Sequence, residues 1–358
     1  MSHLITQGLS FLQYIEKEPG IIVGPITMFL GMIIDFVFRF FYSLSQPNSL
    51  GWSIIVLTLI ARTLMLPMGM KSQKSTIKMQ KLAPEINKIK ERYGSTKDPE
   101  LQRKMNAEIQ AVYSENKVNM LSGCLPLLIQ MPIFFALSYL LRQCYMFIPS
   151  IHEIYSGLGT NITNMGDGWI GLITELGKSK VPDSMLKDGA SFWFHYVPGV
   201  TTITQPEAFE NLLKLLNRFK PEDWTEVFEF MKNSNPALFA DTEVIYKTKE
   251  SIETFFGINL VNNAGMTGLG VIIPILTAAT TFLSSFVMGK TNPSTDPQQK
   301  TQQKMMMLVM PIMMFFMTTN MSAGVGLYWI TSSVYQTVQQ YLLHKFYTKR
   351  GDKEVVKA

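Results

Sequence analysis

The chain has 358 residues, 47% of them hydrophobic and only 16% charged, with a net charge of +5. Soluble domains carry about 25% charged residues, so an ordinary cytosolic enzyme is excluded as the default. The 23 Phe, 24 Met and long aliphatic runs exclude a disordered chain.

Met1 to Gly20 shows no basic-then-apolar leader and no cleavage site, so a removable signal peptide is not expected, and no cysteine stands there to carry a lipid. We read 1–20 as an outer segment. In 21–48, the clean apolar stretch Ile21–Ile34 is too short to span, and Asp35, Arg39 and Ser43 recur at four-residue spacing. These features predict an amphipathic helix in the membrane interface; a sixth span is the alternative.

The first clean span is 49–70, broken in polarity only by Ser53, Thr58, Arg62 and Thr63. A basic segment, 71–118, follows with eleven Lys/Arg against six Asp/Glu. Met79, Leu82, Ile86 and Ile89 share one helical face, as do Leu101, Met105, Ile109 and Val112. Tyr93-Gly94-Ser95 reads as a stop and Asp98-Pro99 as a helix start, giving a helical hairpin. Its lysines form either a solvated face or a contact for anionic lipid or ribosomal RNA. The second span, 119–147, contains Pro126, Gln130 and Pro132. Both cysteines, Cys124 and Cys144, lie in it roughly 30 Å apart on a helix, which excludes an intrachain disulfide.

The segment 148–266 carries helical patterning over Gln205–Phe219, Pro221–Lys232 and Asp241–Phe256 and reads as a small helical domain. Ile148–Gly268 holds nine Lys/Arg and fifteen acids. The third span is 267–289, followed by a loop, 290–304, with three lysines and one Asp. The fourth and fifth spans are 305–318 and 322–343, and the tail 344–358 has five Lys/Arg and two acids. Basic segments belong in the cytoplasm. That places 71–118, 290–304 and the tail inside and 148–266 outside, with five spans, the N-terminus outside and the C-terminus cytoplasmic.

Arg62 is the most informative residue. It lies about 12 Å from the inner end of its span, where an arginine costs at least ~2.5 kcal/mol, and none of the five spans contains an acidic residue. Either it snorkels to the inner interface or it lines a water-filled cavity. Thr58 shares its face. Gln130, Thr280, Thr281, Ser284, Ser285, Ser332, Ser333 and Gln336 are polar residues that could wall such a cavity; Tyr328 and Trp329 serve either there or as packing. Met305, Met306, Met307, Met310, Met313, Met314 and Met317 form a stripe, either lipid-facing filler or a soft slide for varied apolar segments. Met306, Met310, Met313 and Met314 are the candidate slide residues. No catalytic, cofactor or metal signature occurs: no Walker A sequence, no HExxH and no acidic pair within a span. We expect a non-enzyme.

Several runs carry a resemblance: Gly51-Trp52-Ser53-Ile54-Ile55 through Ala61-Arg62 to Leu66-Pro67; Lys78-Met79-Gln80 and Pro84-Glu85-Ile86; Asn119-Met120-Leu121-Ser122-Gly123-Cys124-Leu125-Pro126 with Gln130, Pro132 and Phe134; Phe255-Phe256-Gly257-Ile258-Asn259-Leu260; Met310-Pro311-Ile312-Met313; and Gly326-Leu327-Tyr328-Trp329. Over about Gly20–Phe147 and Phe255–Leu343 the chain resembles the YidC-type membrane protein insertases, a bacterial family with mitochondrial and chloroplast relatives. The resemblance implies an all-α polytopic bundle of five spans with an outer interfacial helix, a cytoplasmic hairpin and a hydrophilic groove. By position, Arg62 matches the family's groove arginine and Tyr328-Trp329 its last-span motif. It also implies a chaperone-like insertase in the bacterial plasma membrane, working alone or with the Sec translocon on nascent membrane proteins. The ribosome is a candidate further partner, lipids surround the bundle, and no DNA contact is expected. The extracytoplasmic insert at 148–266 departs from the family pattern, because the large outer domain of Gram-negative members lies between their first two spans. Read without the resemblance, a small-solute transporter or channel using Arg62 as an anion site is the competing function.

Overall fold

The computed structural model describes residues 23–44, 47–94, 98–116, 118, 125–166, 168–178, 206–291 and 297–355, without the side chains of 125–129, 174, 178, 206–208, 297–300, 302 and 348–355. The expectations for 1–20, for 119–124, for 179–205 within the outer segment and for 292–296 of the loop 290–304 therefore fall outside the described residues, and from Pro297 onward that loop is already helix.

Described residues are overwhelmingly helical. In chain order the helices are α1 (Val23–Leu44), α2 (Ser49–Leu64), α3 (Leu66–Tyr93), α4 (Pro99–Glu115), α5 (Leu125–Arg142), the single turn α6 (Cys144–Phe147), α7 (Pro149–Thr163), α8 (Trp169–Lys178), α9 (Pro206–Leu216), α10 (Pro221–Ser234) and α11 (Pro236–Glu253). A hairpin of two two-residue strands, β1 (Thr254–Phe255) and β2 (Ile258–Asn259), follows. The chain closes with α12 (Ile272–Thr291), α13 (Pro297–Thr319) and α14 (Ala323–Val355).

By length and composition two helices can cross a membrane, Val23–Leu44 and Gly268–Thr291; the bent pair α2–α3 makes a third if counted as one. Gln303–Thr319 is a shorter apolar helix. The segment expected to lie in the interface is thus one continuous 22-residue helix. Its exposed face carries Phe29, Met32, Phe36 and Phe40, and its Arg39–Asp35 pair closes at 2.8 Å one turn apart. The 49–70 segment is not straight. It bends by 54° between Leu64 and Leu66, where Pro67 stands in the first turn of α3. A proline ring clashes with the carbonyl four residues back, here that of Thr63, so the ladder breaks there.

The molecule divides into two compact units. One comprises Met1–Ile54, Ala136–Asn263 and Ser322–Gly324. Its core is built on α7, which packs against α6, α9 and α11, with α10 against α11. Tyr145, Tyr155, Trp224, Leu212, Leu213 and Ile252 are buried there. A polar knot sits inside this core. Lys249 and Glu253, one turn apart on α11, pair at 2.8 Å with side-chain exposures of 8% and 1%. The Tyr155 hydroxyl donates to Glu253 Oε1 at 2.7 Å, and Asn217 Nδ2 donates to the Arg142 carbonyl at 2.7 Å. Burial and the Glu253 carboxylate push the Tyr155 phenol well above its ordinary pKa, so it remains a donor.

In the β1–β2 hairpin, Thr254 pairs with Asn259 and Phe255 with Ile258. The two turn residues, Phe256 and Gly257, have φ of 48° and 83°. Two-residue hairpin turns need such positive φ values, usually met by Asn and Gly. Phe256 accepts the left-handed conformation at a cost of about 1–2 kcal/mol.

The second unit comprises Ile55–Phe135, Ala264–Met321 and Val325–Ala358. Helix α3 ends at Gly94 (φ 59°), and α4 starts with Asp98 accepting the Glu100 N–H at 2.8 Å and Pro99 behind it. An exposed Arg92–Glu108 pair at 2.6 Å ties the two helices. Ile86, Ile89 and Val112 are buried while Leu101, next to the turn, is exposed, so the apolar faces are covered away from the turn. Helices α12 and α13 form the other tightly packed pair. On α14, Gly326 lies against Ile273 so closely that a methyl group there would overlap the isoleucine side chain.

Candidate functional site

The polar residues of the second unit converge on α14, whose register supplies two adjacent stripes. Tyr328, Ser332 and Tyr335, with Gln339, recur at spacings of four, three and four residues and so share a face; Trp329, Ser333, Gln336 and Gln340 form the neighbouring one. The first stripe meets α2, α3 and α5. Arg62 Nε donates to Ser332 Oγ at 2.7 Å, and Arg62 Nη2 also donates to that oxygen. The hydroxyls of Thr63 and Tyr335 are 3.2 Å apart. Gln130 Nε2 donates to the Tyr328 hydroxyl, and Gln339 lies against Gly69. The second stripe meets α12: Trp329 Nε1 donates to Thr281 Oγ1 at 3.0 Å, and Gln340 Nε2 to Thr291 Oγ1 at 3.3 Å. Phe134 closes edge-to-face on Trp329 with centroids 5.5 Å apart.

Ser332, Tyr328, Gln130, Thr281 and Thr58 are buried, and Arg62 is half-buried. A guanidinium has five N–H donors. Two of Arg62's are met by a single serine oxygen, and among the described residues no carboxylate pairs with it. One hydroxyl cannot replace the hydration of a guanidinium, because a hydrogen bond to a charged group contributes only about 1.5–3 kcal/mol. Among the described residues no second hydrogen-bond partner meets its remaining donors.

Thus the fold brings Arg62, Ser332, Gln130, Tyr328 and Trp329 onto one helix's contacts. Thr280, Ser284, Ser285 and Gln336 make no hydrogen bond to this set among the described residues. Thr280 is half-buried and returns its hydroxyl to the Leu276 carbonyl at 2.8 Å; Ser284 and Ser285 are half-buried and Gln336 is exposed. Of the candidate slide residues, Met313 is exposed, Met306 and Met310 are half-buried and Met314 is buried. The exposed stripe of α13 is carried as much by Leu308, Val309, Ile312 and Phe316 as by Met305 and Met313. Tyr335 was not among the expected residues, although its spacing of seven from Tyr328 places it on the same face. Among the described residues no cluster of His, Cys, Asp or Glu could hold a metal ion.

The chain matches the family described as 60Kd inner membrane protein over residues 40–220 and 224–350. Among curated relatives, it is 43% identical over 121 residues to the membrane protein insertase YidC of Clostridium perfringens, covering 33% of this chain and 49% of that protein. It is 45% identical over 106 residues to membrane protein insertase YidC 2 of Bacillus anthracis, covering 27% and 41%. To the YidC of Endomicrobium trichonymphae it is 40% identical over 117 residues, covering 33% and 21%. The matched stretches span less than half the length of these relatives.

Proposed function

The chain belongs to the YidC-type 60Kd inner membrane protein family, and from that premise we propose that it is a membrane protein insertase of the bacterial plasma membrane. Five spans cross the bilayer with the N-terminus outside and the C-terminus in the cytoplasm, α1 lies in the outer interface, and the α3–α4 hairpin is cytoplasmic. The observation that carries the mechanism is Arg62, a cation within the first span, half-buried against Ser332 and without a carboxylate partner among the described residues.

The hydrophilic, often acidic, outer tail of a substrate enters from the cytoplasm toward Arg62. The guanidinium attracts it, and the hydroxyls of Ser332, Tyr328 and Thr58, the Gln130 amide and water solvate it. Thr280, Ser284, Gln336 and the Trp329 indole extend the polar wall. The hydrophobic barrier that the tail must cross is thereby shortened. The flanking apolar segment leaves into lipid along α12 and α13, over Met306, Met310 and Met313; Met314 backs this surface from within. Burial at about 25 cal/mol per Å² drives the step, so no nucleotide or cofactor takes part. The chain acts alone or with the Sec translocon.

Purified chain in nucleotide-free liposomes is expected to insert a short single-span protein with an acidic tail, while small-anion flux stays at the rate of empty liposomes. Anion flux without insertion would overturn the reading in favour of a transporter.

A further inference from the structure

Phe256 combines two features that are unfavourable in water. It is a bulky residue at positive φ, and it is 74% exposed at the tip of the β1–β2 hairpin. A strained, exposed aromatic points to a role for the side chain itself. The hairpin is also firmly held. Asn48, the residue before α2, accepts the Phe256 N–H through Oδ1 at 3.0 Å and donates its own N–H to the Ser251 carbonyl at 3.0 Å. The Phe255 ring rests directly on Gly51. The tip is therefore fixed to the first turn of α2.

The aromatic surface continues beyond the tip. Ring centroids run from Phe256 to Phe255 at 4.6 Å, to Trp52 at 5.5 Å, to Phe41 at 6.4 Å and to Phe40 at 5.4 Å. Trp52, Phe40 and Leu44 are exposed along with Phe256. This patch joins the outward apolar face of α1 without interruption, and Asn48 supplies polar groups beside it. Apolar rings bordered by amide groups are the composition of the layer where headgroups meet acyl chains, in which Trp and other amphipathic rings concentrate.

We propose that the Thr254–Asn259 hairpin is a membrane anchor, with Phe256 inserted at the headgroup–acyl boundary of the outer leaflet and Phe255, Trp52 and Phe40 extending the contact. Its occupant is lipid. The anchor holds the outer end of α2 at a set depth, and hence sets the depth of Arg62 on the same helix. This inference rests on the reading that α2 crosses the bilayer with its Ser49 end outside.

The test is a depth measurement on the full chain in phosphatidylcholine–phosphatidylglycerol liposomes. An environment-sensitive fluorophore is attached to Phe256→Cys, and separately to Leu59→Cys on the exposed side of α2 and Glu229→Cys on exposed α10, with Cys124 and Cys144 replaced by alanine. Circular dichroism matching the parent establishes that each variant folds. The label at 256 is expected to emit blue of the label at 229, and to be quenched more by lipids bearing a nitroxide near the headgroup than at the acyl terminus. If 256 behaves like 229 while 59 is quenched from the acyl terminus, the span stands and the anchor fails; a protein partner covering the patch would give this result. If 59 and 256 both report water, the spanning reading fails and the anchor with it.

Discussion

Arg62→Ala is expected to abolish or severely slow insertion of substrates with acidic tails, with a smaller effect on substrates whose tails are neutral and short. A charge-assisted contact is worth about 1.5–3 kcal/mol, and about 1.4 kcal/mol is tenfold. Loss of the guanidinium therefore lowers the insertion rate roughly ten- to a hundred-fold. Arg62→Lys keeps the charge but not the fork that meets Ser332 through both Nε and Nη2, and should retain partial activity. Ser332→Ala, which removes the partner but not the charge, should cost less than either. The measurement is complementation of a strain depleted of its insertase, read as the fraction of acidic-tailed substrate that reaches the membrane. Wild-type insertion by Arg62→Ala would refute the role given to the charge.

Glu253→Ala is expected to produce the largest loss of stability. It leaves the Lys249 ammonium, 8% exposed, without its counter-charge, and strips the Tyr155 hydroxyl of its nearer acceptor. Breaking one side of a buried pair costs about 3–5 kcal/mol, about a fifth or more of the total stability of a typical domain, about 5–15 kcal/mol. The same knot reaches Arg142 at the end of α5 through Asn217, so the loss should loosen the C-terminal end of that helix too. Limited proteolysis of the 206–253 helices at rising denaturant reads this directly. Replacing both partners, Lys249→Met with Glu253→Leu, should recover most of the stability, because it removes the unpaired charge rather than exposing it. A change within about 0.5 kcal/mol for Glu253→Ala, the range of ordinary surface substitutions, would show that the pair is not buried in solution.

What could be read in the sequence follows the range of the interactions. The end of α3 at Gly94 and the start of α4 at Asp98-Pro99 are local chemistry, a left-handed cap and a side-chain cap, and they are visible in the residues themselves. Arg62 is legible for another reason: a cation inside an apolar run is costly wherever the helix packs. Its contact with Ser332 joins residues 270 positions apart, and no local pattern specifies that. Tyr335 stands near the middle of the 322–343 span, where an aromatic side chain is ordinarily explained by packing, and only its spacing of seven from Tyr328 marks its face. Met314 turned inward while Met313 faces out; on an all-apolar helix no polarity contrast marks the buried side. A Lys and a Glu four residues apart on a helix ordinarily make a surface pair, and only the packing of α7, whose Tyr155 donates to Glu253, makes Lys249 and Glu253 a core feature. Phe256-Gly257 lacks the Asn-Gly signature of a tight hairpin, so the turn was hidden inside a helical pattern drawn through to Phe256.

The central claim is that substrate tails come to Arg62, and the most direct test is a photoreactive benzoylphenylalanine in place of Tyr335, whose hydroxyl contacts the residue next to Arg62. During insertion of an acidic-tailed substrate, adducts should form with the tail and disappear once insertion is complete. Insertion that proceeds without any tail adduct from this position would contradict the account.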